Sequence, residues 1–111
     1  MVEYFTPIYS DEVEEFLDSL EEKTRKKIIY NIDKAKMTLD PELFKKLDSD
    51  IWEFRTKFNR KQYRLLAFWD KRDSSATLVI ATNGFVKKTQ KTPKAEINRA
   101  RQIMEFYFKT T

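Results

Sequence analysis

The residues best suited to chemistry in this sequence lie in one stretch, residues 84–93. It holds the only glycine of the chain, Gly84, three lysines (Lys87, Lys88 and Lys91) and no acidic residue. It follows a β-branched apolar segment and precedes a proline-started amphipathic helix. Fixed cations between a strand and a helix favour binding of an anion. The stretch therefore predicts an anion-binding loop.

The charge of the chain is distributed unevenly. Residues 1–22 carry eight acids and no base, so the remainder carries +12 although the net charge is only +4. Between residues 55 and 91, ten bases stand against two acids, Asp70 and Asp73. Such an excess repels itself unless an anion neutralises it, which makes a polyanion such as nucleic acid a natural partner. A solvated basic surface is the alternative explanation.

Composition limits the chemistry that the chain can perform. Its 111 residues, 41% of them hydrophobic, predict a single folded domain over residues 1–111. The absence of cysteine and histidine excludes thiolate metal sites and the usual imidazole base. Catalysis would have to use Lys, Arg, Tyr, Glu, Asp or hydroxyl groups, and we expect no metal and no cofactor. No apolar run approaches the roughly 20 residues that span a bilayer, so we expect a cytoplasmic protein without membrane contact.

Apolar spacing predicts the elements that position these residues. A short strand over residues 2–9 precedes Ser10, a good N-cap for a first helix, and a second helix covers roughly residues 22–39. We expect the two to form a hairpin that ends at Asp40 and Pro41. A turn of helix is expected around residues 43–47.

Three strands are predicted next, over residues 51–56, 62–69 and 75–83, and short polar connections favour an antiparallel meander. Thr92 as N-cap and Pro93 at the first helical position open a last helix. The predicted order is β-α-α-β-β-β-α.

Arg55 and Arg64 share a face of this sheet only if the hairpin between them has an even-numbered loop, such as residues 58–61. A five-residue loop would place them on opposite faces. In the favourable register Glu53 and Leu66 line the cleft beside the arginines, whereas Trp52, Phe54, Leu65 and Ala67 line the helix-covered face.

Several segments, in this order, resemble the phage-derived HigB-like branch of the RelE/ParE toxin superfamily. They are WEFR at residues 52–55, YRLLAF at 63–68, GFVKKTQKTP at 84–93, and then Glu96, Ile97 and Ala100. The lysine-rich segment with its proline-started helix is the most specific of them. The resemblance implies an α+β, RelE-like (microbial-ribonuclease-like) fold, with a twisted antiparallel sheet, a helical hairpin packed on one face and a C-terminal helix.

The resemblance also implies a function. Relatives of RelE and HigB cut mRNA in the ribosomal A site without metal, as toxins of type II toxin–antitoxin systems. The implied partners are mRNA on the ribosome and a cognate antitoxin of helix-turn-helix type. Fold alone leaves two alternatives open, a ParE-like inhibitor of DNA gyrase and an inactive phage-derived protein that still binds RNA or its antitoxin.

Cleavage by the 2′-hydroxyl group requires a base, a cation at the phosphoryl oxygens and an acid for the leaving oxygen. Arg64 resembles the strand arginine of RelE and would clamp phosphate. Lys87 or Lys88, with a pKa lowered by neighbouring cations, would be the base, and Glu53 is the competing candidate. Glu53 and Arg55 replace the paired strand lysines of RelE, which is a departure from its pattern.

Further residues are predicted to bind RNA or its phosphates. They are Arg55, Lys57, Arg60, Lys61, Gly84, Phe85 and Lys91. Structural roles compete with these functional ones: Arg55 would pair with Glu53, Arg64 would be a half-buried arginine bonded to carbonyls, and the lysines would form a solvated loop. Phe85 would be either a platform for a base or part of the core.

Overall fold

The computed structural model describes residues 2–111 and has an α+β fold. Five strands and three helices follow one another along the chain: β1 (Thr6–Tyr9), α1 (Asp11–Asp18), α2 (Glu22–Thr38), β2 (Phe44–Lys46), β3 (Trp52–Phe58), β4 (Lys61–Asp70), β5 (Leu78–Lys87) and α3 (Lys94–Thr110). None of the helices in residues 2–111 is both long and apolar enough to cross a membrane.

All five strands form one sheet in the order β1-β5-β4-β3-β2. The pairs from β2 to β5 are antiparallel, and they include the predicted meander of β3, β4 and β5. At the other edge β1 runs parallel to β5. The predicted α+β arrangement is confirmed, with one parallel strand added to an antiparallel sheet.

The helical turn predicted around residues 43–47 is wrong, because this segment contains the strand β2. Phe44 pairs with Phe54 and stacks on its ring, with the two centroids 4.3 Å apart. Its side chain is buried among aromatic residues of the core. Apolar residues at 43, 44 and 47 fit helical spacing, but burial of Phe44 against the sheet determines the conformation.

The helical hairpin covers one face of the sheet, as predicted. Ser10 caps α1 by accepting a hydrogen bond from the amide of Val13, and the last residue before the chain turns away from α2, Leu39, has a left-handed backbone with φ of 52°. Apolar residues of both helices then pack on the sheet, including Val13, Leu17, Ile28, Ile32, Phe54, Leu65 and Ala67. Trp52 packs on the edge of the same core.

The C-terminal helix α3 covers part of the opposite face. Ala100 packs with Ile51 and Leu66, all fully buried, and Phe68 contacts the ring of Tyr107. Leu66 therefore lies beneath α3, and its prediction as a lining residue of an open cleft is wrong. What α3 leaves uncovered is the end of the sheet at which β3, β4 and β5 carry their basic residues.

Strand β5 is displaced relative to its prediction. The sequence predicts a strand over residues 75–83, whereas the strand begins at Leu78 and runs to Lys87. Pairing with β4 extends it, because Gln62 lies opposite Lys87 and Leu65 lies opposite Gly84. Residues 84–87 are consequently held in the sheet, and only residues 88–93 connect β5 to α3.

Candidate nucleic-acid interface

A tight turn between β3 and β4 sets the position of the two strand arginines. Asn59 and Arg60 have φ values of 51° and 66°, and they alone separate the two strands. Two successive positive φ angles are typical of a type I′ hairpin turn, whose twist matches that of the strands. The loop has two residues, an even number as a shared face requires, and Arg55 pairs directly with Arg64.

The carboxylate of Glu53 is buried between these arginines. Its Oε1 lies 3.3 Å from Nε of Arg64 and 3.7 Å from Nε of Arg55. The hydroxyl of Thr92 donates a short hydrogen bond, 2.5 Å, to Oε2. Both carboxylate oxygens are thus engaged within the chain, which suits a residue that holds cations in position.

The guanidinium group of Arg64 lies inside the protein. The residue is 3% exposed, its Nη1 donates to the carbonyl of Tyr63, and its Nη2 donates to Oε1 of Gln62 at 2.6 Å. Burial lowers the pKa of Arg64, Glu53 opposes this effect, and Arg55 adds to it. Since arginine remains charged in proteins, Arg64 supplies a fixed positive charge, and Gln62 must turn away before Nη2 can reach a ligand.

An open groove of about 530 Å³ lies beside β3 and is lined by five bases. Arg55, whose side chain is 33% exposed, enters it together with Lys57. Lys27 and Lys34 enter it from α2. Glu42 is the only acid among the described residues that line it. The groove offers several cations to an extended anion.

A second groove, of about 650 Å³, lies at the end of the sheet where β4 begins and β5 ends. Lys87 lies directly opposite Gln62, and both line this groove with Arg60, Lys61 and Lys88. Gln62 also lines the groove beside β3. The two grooves therefore form one basic surface that turns around the tip of the β3–β4 hairpin.

Lys87 differs from an ordinary surface lysine. Its side chain is partly buried, and this burial lowers its pKa. Among its charged neighbours, Arg64, Arg55 and Lys45 lower the pKa further, whereas Glu53 raises it. A lysine surrounded by cations releases its proton more easily, which is the property predicted for a basic group in this stretch.

The connection between β5 and α3 is exposed and carries Lys88 and Lys91. Thr92 is not the N-cap of α3, and this prediction is wrong, since its hydroxyl bonds to Glu53 instead. Pro93, with φ of −59° and ψ of 139°, occupies the cap position, and α3 begins one residue later than predicted. The loop is thereby attached to the buried carboxylate at the base of the interface.

Gly84 and Phe85 line neither basic groove, so their contacts with RNA stay predictions, and each has a packing role in the structure. A Cβ atom on Gly84 would clash with the ring of Phe16 and lie 2.5 Å from Cδ2 of Leu65, on the side covered by α1. Gly84 has a negative φ, so the glycine serves close packing. Phe85 packs with Ala100 beneath α3, which is the core position considered for it.

Sequence reasoning missed four residues of the interface. Lys27 and Lys34 are seven residues apart on α2, a spacing that places them on one helix face. Lys45 lies on β2 directly opposite Glu53. Its place in the sheet was not predicted because a helical turn was expected in this segment. Gln62, which bonds to Arg64, gives no signal of its own in the sequence.

Comparisons with known proteins agree with this architecture. A family model described as "Phage derived protein Gp49-like (DUF891)" matches residues 15–105. A solved structure of E. coli toxin RelE, a double arginine-to-alanine mutant in the free state, is similar with a TM-score of 0.59. The alignment covers 91% of this chain and 97% of that chain at 13% identity, so the likeness concerns the fold. No curated protein matches the sequence.

Proposed function

Because this chain belongs to the phage-derived Gp49-like family, part of the RelE/ParE toxin superfamily, we propose that it is a type II toxin that cleaves mRNA on the ribosome. A small antitoxin of helix-turn-helix type would neutralise it. The expected family and the expected RelE-like fold are both confirmed. The cleavage activity is proposed from the arrangement of charges.

The observation that supports an RNA target is the basic surface around the β3–β4 hairpin. Arg55, Lys57 and Lys87 are available at its rim, with Arg64 behind them. The acid nearest to these cations, Glu53, is buried and engaged. A surface of this kind attracts the phosphate backbone without regard to base sequence. The codon bound on the ribosome would then determine at which nucleotides the mRNA is cut.

In the proposed reaction the 2′-oxygen attacks the adjacent phosphorus. Lys87, in its neutral form, removes the proton of the 2′-hydroxyl group as the bond from O2′ to phosphorus forms. Arg55 and Lys57 stabilise the charge on the phosphoryl oxygens. Protonated Lys88 donates to O5′ as the bond from phosphorus to O5′ breaks, which leaves a 2′,3′-cyclic phosphate and a 5′-hydroxyl end.

Glu53 and Arg64 act as positioning residues in this scheme. Glu53 holds Arg55 and Arg64 in register, and Arg64 keeps Lys87 in a positive environment. Lys87 is favoured over Glu53 as the base because Lys87 reaches the groove, whereas both oxygens of Glu53 are engaged. The rim is open, so alignment of the RNA by the ribosome would supply much of the rate.

Cleavage of a ribosome-bound message tests the proposal. Purified protein is added to ribosomes carrying a defined mRNA, and the new 5′ ends are mapped by primer extension. We expect cuts in the A-site codon that need no added metal, at least 100-fold slower with Lys87→Ala and unchanged with Lys109→Ala. An uncut message, together with inhibition of DNA gyrase by the same protein, would reject the proposal.

A further inference from the structure

A third groove lies at the opposite end of the sheet from the basic surface. Its volume is about 700 Å³, and it shares no lining residue with either basic groove among the described residues. We name it the tryptophan groove. Its apolar lining consists of Leu39, Trp52, Phe68, Trp69, Met104 and Phe108.

The walls of the tryptophan groove are held in place by aromatic packing. The rings of Trp52 and Trp69 meet edge to face with their centroids 5.7 Å apart. Phe44 supports both from behind, at 4.8 Å and 5.8 Å. On the other side Phe108, which is 39% exposed, contacts the ring of Phe68. A ligand would thus enter a preformed site with little ordering of its walls.

Two lysines give the rim of the groove a preference for anions. Nζ of Lys71 lies 4.8 Å from the centre of the Trp69 ring, and Lys46 lines the groove from β2. Asp50 is the one acid among the described lining residues, so the rim carries a net charge of +1. The indole N–H of Trp69 is buried and has no acceptor among the described residues. An acceptor oxygen must therefore come from another molecule or from movement of nearby side chains.

We propose that the tryptophan groove binds an acidic peptide segment of a protein partner, with one large apolar side chain inserted between Trp52 and Phe108. Carboxylates that flank this side chain would pair with Lys46 and Lys71. The groove, at about 700 Å³, is large enough for several side chains of a bound segment, and the weak local charge is far below what a polyanionic RNA backbone requires. The proposal is independent of the nuclease activity, since it uses none of the residues of the basic surface.

Intrinsic fluorescence reports on this site selectively, because Trp52 and Trp69 are the only tryptophans of the chain. The probe is a synthetic twelve-residue peptide with a central Phe-Leu pair flanked by Glu and Asp. We expect a saturable change in tryptophan emission. The same peptide with Lys in place of its acids should bind at least tenfold more weakly.

Two phenylalanines of α3 provide matched variants. Phe108 lines the groove, whereas Phe106, 68% exposed, does not. We expect Phe108→Ser to weaken binding of the acidic peptide at least tenfold and Phe106→Ser to leave it unchanged. Lys71→Ala, at an exposed position, should weaken binding at least threefold and serves if Phe108→Ser does not fold.

Four results of the binding experiments would overturn the proposal. They are the absence of a saturable change, equal binding of the acidic and basic peptides, equal effects of the two phenylalanine substitutions, and an emission change with single-stranded oligouridylate instead of peptide. Sedimentation of the free protein tests whether a second copy of the chain occupies the groove. A dimer that Phe108→Ser abolishes would assign the groove to that copy and would also overturn the proposal.

Discussion

Arg55 and Arg64 lie directly opposite each other on β3 and β4, and one buried carboxylate, that of Glu53, lies within 3.7 Å of both. Like charges at directly opposed positions of a sheet repel each other. Glu53 therefore makes this register possible, while the tight turn at Asn59 and Arg60 selects it. The interface rests on an internal charge network from which Arg55 extends toward solvent.

Removal of the central carboxylate should destabilise the fold. Glu53→Ala leaves the 3% exposed Arg64 without its counter-ion, and breaking a buried ion pair in this way costs about 3–5 kcal/mol. Urea denaturation at neutral pH measures the loss in free energy of unfolding. Glu105→Ala, at an exposed position of α3, is the control and should change it by less than about 0.5 kcal/mol. Equal effects of the two substitutions would show that the network adds nothing to stability.

The titration of Lys87 should follow its charged neighbours. Its pKa is lowered by burial and by Arg64 and Arg55, and raised by Glu53, so Arg55→Gln should raise it and Glu53→Gln should lower it. NMR titration of ¹³C-labelled lysine side chains measures the pKa of Lys87 in both variants. A pKa that moves in the reverse direction in either variant would contradict the assigned effects of Arg55 and Glu53.

The lowered pKa of Lys87 also makes the stability of the fold depend on pH. A lysine whose pKa is lower in the folded state than in the unfolded state holds its proton less tightly when folded. The contribution of Lys87 to the free energy of unfolding should therefore rise with pH between its folded and unfolded pKa values. In urea denaturation over this pH range, Lys87→Met should remove this rise and Lys109→Met should keep it. A rise that survives in Lys87→Met would show that another group causes it.

Gly84 should matter for packing and not for binding. In Gly84→Ala the new methyl group meets Phe16 and Leu65, and overpacking of this kind costs about 1–3 kcal/mol. Thermal unfolding measures the loss, and Gly84→Ala combined with Phe16→Leu should recover part of it. If Gly84→Ala left stability unchanged but abolished RNA binding, Gly84 would act as an anion contact and not in packing.

The C-terminal end of α3 should depend on one polar cluster. The carboxylate of Asp70 accepts hydrogen bonds from Arg72 and from the hydroxyl of Tyr107, the latter at 2.7 Å. We expect Tyr107→Phe to cost about 1.5–3 kcal/mol, since this hydrogen bond is made to a charged group. A double-mutant cycle with Asp70→Asn should give a clear coupling energy. Additive effects of the two substitutions would show that this hydrogen bond does not stabilise the end of α3.

Acidification should weaken this cluster. Arg72 and then Tyr107 lower the pKa of Asp70. Its contribution is therefore complete above about pH 4 and is lost as the pH falls below that value. The protection factors of amides in the last turn of α3, which correct for the pH dependence of intrinsic hydrogen exchange, should fall on acidification in the wild type and stay constant in Asp70→Asn.

Local signals explain which parts of the fold could be predicted. Apolar residues at helical spacing defined α1, α2 and α3, and this signal acts over a few residues, so the sequence contains it directly. The pairing of Arg55 with Arg64 depended on the parity of the β3–β4 loop, which the sequence left open. The three residues of β2 are too few to show strand alternation, and β5 continues through Gly84, a residue type that usually marks a turn.

The errors at the candidate site come from contacts between distant segments. Phe16 of α1 decides the environment of Gly84, and α3 decides that of Phe85. The burial of Arg64 depends on neighbours in the folded sheet, and the sequence left its structural and functional roles both open. A lysine pattern can predict a basic surface, but which cations reach solvent is determined by packing.

The central claim is that Lys87 on this basic surface takes part in cleavage of translated mRNA. Mapping of mRNA 5′ ends in cells, after induction of the wild type, Lys87→Ala and Lys109→Ala at equal protein levels, tests it most directly. We predict new 5′ ends phased with codons for the wild type and Lys109→Ala, and none above background for Lys87→Ala. Intact transcripts for the wild type, with gyrase trapped on DNA and growth still arrested, would contradict it.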